Sequence, residues 1–427
     1  MFSISSALGY LHSRLAAAFP RTPGFCFFDA PFPLNDTFDP LTWLACQNAY
    51  PQFYWQQRSG AEEAAALGAL IPFSSLPQAQ QFLHLHPDDV RIWGLNAFDP
   101  DSGALFLPRL EWRRERGRAM LRLYLYSDSS LHDDAQCAAD FLATLVGSTP
   151  LENVQQPCLE QHHFPEREGW ETLINQALLT LSSGELDKVV LARATDYHFA
   201  HAVQAASLMA ASRRLNHRCF HFMYVFDAQT AFLGSTPERL WRRRGMALRT
   251  EALAGTVANH DDDAQAQQLA GWLMNDDKNQ RENMLVVEDI CQRLQHQTGA
   301  LEILPPQVLR LRKVQHLRRC IWGDLQTADD ALCLQLLQPT AAVAGLPRRE
   351  AWAFIEHHEP FEREWYAGSA GYLSRGQSEF CVALRSAKIS GNTVRLYAGA
   401  GIVPGSDAQQ EWQEIENKAA GLRSLLL

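Results

Sequence analysis

Phe220-His-Phe-Met-Tyr-Val-Phe226, Ala231-Phe-Leu-Gly-Ser235, Arg239-Leu-Trp-Arg-Arg243 and Met246-Ala-Leu-Arg-Thr-Glu251 follow one another with no helical pattern between them. Each run is rich in aromatic and aliphatic residues and reads as a strand. Strands that arrive in runs, rather than alternating with helices, predict an α+β chain with antiparallel sheets. Upstream, a helix is expected over 167–182, a strand over 188–195 and a helix over 202–215. Downstream, the pattern predicts one long helix over 263–296, short helices at 331–337 and 348–358, and a hairpin of 367–373 with 380–389. A strand at 393–398 and a last helix from Ala408 complete that half. Before it, residues 53–58, 90–95 and 119–126 alternate as half-buried strands, and 131–146 reads as an amphipathic helix. The polar, proline-punctuated stretch 147–165 is the best candidate boundary.

The bulk numbers exclude several classes. The 427 residues carry a net charge of −10, which argues against a general nucleic-acid surface. The clusters Arg242–Arg244 and Arg310–Lys313 are short and are expected to be solvated strand or loop positions. Nine scattered cysteines without a CxxC pair give no zinc framework and fit reduced thiols in a cytoplasm. No basic-then-apolar leader opens the chain, and no segment approaches the ~20 apolar residues of a membrane span, so a cytoplasmic protein is expected.

Several residues can carry chemistry. Glu411, Glu414 and Lys418 are spaced to share one face of the final helix, after the glycine-rich run 398–401. They form either a mixed-charge surface or a cluster aimed at whatever the glycines let approach. Lys188 opens a strand on the face of Val190, Ala192 and Ala194. It is either a snorkelling edge lysine or a desolvated amine with a lowered pKa, able to act as a base. Glu238 follows Pro237 in a turn. It is a solvated carboxylate, or one held protonated by an apolar pocket as a general acid. Gly255 and Thr256 end a strand, where a backbone N–H and a hydroxyl can hold a carboxylate. Glu282, on the apolar side of a helix, needs a cation: an arginine, or a Mg²⁺ shared with Glu414. Arg385 and Tyr366 are either anion contacts or satisfied structural groups. Asp261–Asp263 reads as a helix cap, and the histidine pairs 162/163 and 357/358 as surface.

These segments stand in a familiar order. Lys188-Val-Val-Leu-Ala-Arg, Ser235-Thr-Pro-Glu-Arg, Glu251-Ala-Leu-Ala-Gly-Thr, Glu282-Asn, Val314-Gln-His-Leu, Pro339-Thr-Ala-Ala-Val-Ala-Gly, Tyr366-Ala-Gly, Arg385-Ser-Ala-Lys and Gly399-Ala-Gly-Ile through Asn417-Lys-Ala resemble the chorismate-utilising enzymes. The resemblance spans roughly residues 165–427 and is nearest the isochorismate synthases of the menaquinone pathway. It implies two facing antiparallel sheets with outer helices. It further implies one large α+β unit over 1–427, with 1–160 as a variable N-terminal part and 165–427 as the catalytic region. The boundary near 160 is then no true domain break. The resemblance implies Lys188 as the base that activates water and Glu238 as the acid that protonates the departing hydroxyl. Glu282 and Glu414 are implied as Mg²⁺ ligands, and Gly255, Thr256, Tyr366, Arg385, Gly399 and Lys418 as substrate contacts.

Two positions discriminate within the family. Anthranilate synthases carry Gln where Lys188 stands, and aminodeoxychorismate synthases carry Lys where Ala254 stands. Lys188 and Ala254 therefore favour water as the nucleophile, with no glutamine amidotransferase subunit and no covalent intermediate. The expected protein is a monomer or homodimer binding chorismate, with no nucleic-acid or membrane partner. Salicylate synthases and siderophore-pathway isochorismate synthases share the same key residues and remain alternatives, with a silent chorismate-binding protein a remote one.

Overall fold

A computed structural model describes residues 4–32 and 38–427. Among them, every pairing of named strands is antiparallel, as the uninterrupted strand runs predict. One branch of the sheet runs Gly24–Phe32, Arg118–Ser127, Gly103–Glu115, Glu62–Phe73, Gln52–Gln56, Phe220–Val225, Thr230–Thr236, Ser386–Ser390, Thr393–Ile402, Lys188–Phe199, Cys158–Phe164. The other leaves the same Gly103–Glu115 strand through Ile92–Asn96. It continues Ser369–Leu373, Gln377–Val382, Arg239–Arg244, Ala247–Ala258, Val314–Asp324.

Strand periodicity sorts the side chains between two cores. Phe220, Phe222 and Tyr224 belong to the larger one, together with Trp241, Phe380 and the inner faces of the helices Arg167–Ser182, Asp277–Leu294 and Arg348–His358. Met223 faces the opposite way, into a second core under the helices Ile4–Leu15, Leu131–Thr144 and Ala205–Leu215.

Several expectations need correction. The predicted 380–389 strand is two strands on different branches, because Ala383–Arg385 crosses from one to the other. The 263–296 helix is also two, Asp263–Asn275 and Asp277–Leu294, since Asp276 leaves helical geometry and caps Asn279 N at 2.9 Å. The Val314–Asp324 strand, which pairs along Ala247–Ala258, had no counterpart in the sequence reading. Arg243 is not solvated: it is buried, and its guanidinium forks onto Asp330 at 2.6 and 2.9 Å. The stretch 147–165 contains a strand, Cys158–Phe164, paired with Lys188–Phe199. His163 is half-buried there, with Nδ1 3.0 Å from Thr195 Oγ1. Asp262 caps its helix as read, accepting from Gln265 N at 2.9 Å.

Candidate active site

Two chain crossings between the branches run side by side, and each delivers a charged side chain. Pro237–Glu238 links Thr230–Thr236 to Arg239–Arg244, and Ala383–Arg385 links Gln377–Val382 to Ser386–Ser390. They are tied together: Val382 N donates to Glu238 O at 3.0 Å, and Ser235 N donates to Arg385 O at 3.1 Å. Arg385 adopts φ 50°, a left-handed backbone that costs a non-glycine residue and persists only where its surroundings hold it. Its side chain therefore leaves the crossing rather than a strand face.

Gly255 and Thr256 are presented by a bulge. Leu253 pairs with Arg318 and Thr256 with His316, so Ala254 and Gly255 stand against Leu317 alone, with Gly255 at φ 86°. The helix Asp277–Leu294 docks onto this bulge through two asparagines. Asn283 Nδ2 donates to Ala254 O at 3.0 Å, and Asn279 Oδ1 accepts from Thr256 N at 3.0 Å. Glu282 lies between them in sequence and is carried to the cleft by that docking. The Thr256 N–H is consequently committed, leaving the Thr256 hydroxyl as that residue's donor for an anion. The Thr256 hydroxyl lies 3.0 Å from His316 Nδ1.

Opposite stand Lys188–Phe199 and Thr393–Ile402, where Gly399 and Gly401 share one face. A Cβ on Gly399 would come within 2.8 Å of the Tyr366 hydroxyl. A Cβ on Gly401 would stand 2.7 Å from Glu282 Oε1 and 3.0 Å from Lys188 Cε. The glycines thus admit the functional side chains themselves. Lys188 is buried at 1% exposure, and its Nζ donates to Glu282 Oε1 at 3.0 Å, so it is no snorkelling edge residue. Tyr366 stacks on Tyr397, and burial pushes its phenol up to about 12, keeping it a hydrogen-bond donor at neutral pH.

The result is a half-open cleft, whose empty space is about 650 Å³ with the open solvent at its mouth included. Glu238, Gly255, Thr256, Glu282, Tyr366, Arg385, Gly399 and Lys418 line it, and Lys188 reaches it beneath Gly401. Glu414 sits at the rim beside Thr256 and pairs with Lys418 Nζ at 2.6 Å, while that nitrogen also donates to Gly399 O at 2.9 Å. Eight of the ten residues that the resemblance implicates line this cleft, while Lys188 lies close to Gly401 and Glu414 is tied to the lining through Lys418.

Three carboxyls there have displaced pKa values, two raised and one lowered. Burial, reinforced by the charge of Glu251, pushes Glu238 up to about 8, against the opposing pull of Lys188, Arg385 and Lys418. Burial and the neighbouring Glu414 raise Glu411 to about 7. Glu282 is held below its usual range: burial raises it, but Lys188 and Lys418 outweigh that.

Among the described residues no three acidic, histidine or cysteine side chains are arranged as a ready metal cage. Mg²⁺ rarely uses one; it takes one or two carboxylates and fills its remaining positions with water and substrate oxygens. Glu282 and Glu414 beside an open cleft supply that donor set.

Sequence reasoning gave no role to His316, although it lies in Val314-Gln-His-Leu, nor to Asn279 and Arg58. Arg58 donates to Pro237 O at 2.8 Å and forks onto Glu251 at 2.6 and 2.8 Å, bracing the Glu238 crossing from the N-terminal part. Residues that act by holding others carry no signal in local spacing.

The model of a family described as chorismate binding enzyme matches residues 96–427. Isochorismate synthase MenF of Escherichia coli is 67% identical over 100% of this chain and 99% of its own length. Its solved structure, titled the menaquinone-specific isochorismate synthase, superposes with a TM-score of 0.98 over 100% of both chains. Isochorismate synthase MenF of Haemophilus influenzae is 41% identical over 91% of this chain and 90% of its own. Anthranilate synthase component I from Streptococcus pneumoniae, at 20% identity and a TM-score of 0.68, shares the fold.

Proposed function

This chain belongs to the chorismate-binding enzyme family, and from that premise we infer that it is an isochorismate synthase acting in menaquinone biosynthesis. It adds water at C2 of chorismate while the C4 hydroxyl departs and the ring double bonds shift. The observation that supports the mechanism is a pair of buried groups at one cleft: an amine at Lys188 close to the lining Gly401, and a lining carboxyl at Glu238 raised to about 8.

We assign Lys188 as the base that takes the proton of the attacking water. Glu238, protonated at neutral pH, gives its proton to the leaving hydroxyl; neither proton transfer goes readily at pH 7 without a positioned group. Arg385, Lys418, Tyr366 and the Thr256 hydroxyl point donors into the cleft and hold the substrate carboxylates, with the Gly255 and Gly399 backbone leaving room for the ring. Glu282 and Glu414 are the residues that would hold Mg²⁺, which when bound neutralises a substrate carboxylate and orients the ring. Lys188 and Glu282 share a hydrogen bond, so engaging Glu282 Oε1 elsewhere releases the amine.

Water as nucleophile requires no ammonia source, hence no amidotransferase subunit. Among the described residues no helix is long and apolar enough to cross a membrane. We place the enzyme in the cytoplasm because its nine cysteines are all unpaired.

The test is incubation of the purified protein with chorismate and Mg²⁺, without ammonia, followed by chromatographic identification of products. Isochorismate alone, abolished by EDTA, is expected. Salicylate with pyruvate would move the protein to the salicylate-forming branch, and no conversion would overturn the reading.

A further inference from the structure

His316 is 5% exposed, lines the cleft, and stands directly across the strand ladder from Thr256. Its two ring nitrogens are each engaged. Nε2 lies 2.7 Å from Arg385 Nη2, and Nδ1 lies 3.0 Å from Thr256 Oγ1. An arginine side chain has only donors. The contact with Arg385 therefore requires a lone pair on Nε2, and the ring hydrogen of neutral histidine must sit on Nδ1.

The consequence falls on Thr256. A protonated Nδ1 cannot accept, so the Thr256 hydroxyl accepts from the ring and its own hydrogen is free for a partner other than His316, in a residue that lines the cleft. The Thr256 N–H is already bound to Asn279, leaving that hydroxyl as the residue's remaining donor. Arg385 is fixed from a second side as Nη1 donates to Lys418 O at 3.3 Å.

We propose that His316 is a positioning residue, locked as its Nδ1–H tautomer between Arg385 and Thr256, which sets both as convergent donors for one substrate carboxylate. Burial and the nearby cations of Arg385 and Lys418 hold the imidazole well below its usual pKa. The ring stays neutral, and the lone pair facing Arg385 is preserved across the working pH range. A protonated ring would face Arg385 with two donors and no acceptor.

The proposal rests on the reading of Thr256 and Arg385 as substrate contacts, and its test separates the two. In wild-type protein labelled with ¹⁵N-histidine, the His316 resonances, identified by their loss in His316→Gln, should show a neutral Nδ1–H ring between pH 6 and 9. An Nε2–H ring, or one that titrates in that range, overturns the proposal without reference to catalysis.

In steady-state assays, His316→Leu should raise KM for chorismate roughly tenfold or more, the scale of a hydrogen bond to a charged group, with kcat changed far less. His316→Gln, whose side-chain oxygen can replace Nε2 as acceptor, should recover part of that loss. Thr256→Val and Arg385→Lys are measured alongside. Unchanged KM in both overturns the contact reading. Raised KM in those two with normal KM in His316→Leu overturns the positioning role. Should His316→Leu fail to fold, the tautomer measurement on the wild-type protein decides.

Discussion

Glu238 shows how one residue's surroundings set both its chemistry and its cost. Its carboxyl is buried beside the ionised Glu251, which Arg58 holds below its usual range, so the two neighbouring acids are pushed apart. With Glu238 near 8, activity that depends on its proton should fall as pH rises through about 8, which a pH profile of kcat would reveal. The same displacement affects stability. Between the ordinary value of 4.5 and about 8, the folded chain keeps a proton that the unfolded chain releases, so stability declines as pH rises across that window. Glu238→Gln should therefore abolish turnover yet melt progressively higher than wild type as pH increases from 5 to 8. A variant that still turns over would remove Glu238 as the acid. Lys188→Ala should also be inactive while still binding chorismate, measured by calorimetry, because the carboxylate anchors lie elsewhere; full activity would dismiss Lys188 as the base.

At the scale of elements, the site is assembled by irregularities in otherwise regular strands. The bulge at Ala254–Gly255, the two crossings at Pro237–Glu238 and Ala383–Arg385, and the glycines of Thr393–Ile402 each break a ladder or omit a side chain where the cleft needs space. Gly401→Ala tests this. Its methyl group would meet Glu282 Oε1 at 2.7 Å and Lys188 Cε at 3.0 Å, the ends of two movable side chains. The fold should survive with an unchanged melting profile, while displacement of both groups by even ~1 Å should lower kcat on the order of 100-fold. The strand Lys188–Phe199 shows a related device. At Val190–Ala192 the buried pair Glu359–Arg363 stands in for a neighbouring strand: Arg363 Nη2 donates to Val190 O at 2.8 Å and Glu359 Oε1 accepts from Ala192 N at 2.8 Å.

Across the whole molecule, the N-terminal part is joined to residues 165–427 by main-chain ladders and by several ion pairs, among them Arg58–Glu251, Arg213–Glu63 and Arg244–Glu62. Gln52–Gln56 pairs with Phe220–Val225, and Ile92–Asn96 pairs with Ser369–Leu373. Arg58 supplies the charge that Glu251 needs. Arg58→Ala would leave Glu251 buried without its ion pair, keeping only the Arg239 N–H at 2.8 Å, at a cost of up to about 3–5 kcal/mol, and would loosen the Pro237 crossing that aims Glu238. A lower melting temperature together with a shifted upper pH limb is expected; a loss of stability with an unaltered limb would show that Arg58 does not govern Glu238. A fragment beginning at residue 165 should not fold by itself, because it would expose the ladder edges at Phe220–Val225 and Ser369–Leu373. Circular dichroism of the fragment checks this.

The sequence by itself determined the fold class, through successive strand patterns that carry their own period. It also singled out ten candidate site residues, through ordered motifs in which Lys188, Ala254 and the glutamates point to the proposed chemistry. Helix and strand periodicity are local, so they survive in a one-dimensional reading. What only the tertiary structure decided was where regular elements stop. The crossing Ala383–Arg385 begins inside an unbroken apolar run, Phe380–Leu384, and nothing in that run signals where the strand ends. Partnership was equally hidden: His316 with Arg385 across 69 positions and Arg58 with Glu251 across 193. Such contacts are set by the register of strands distant in sequence, and a pattern that repeats every two or every 3.6 residues contains no term for it.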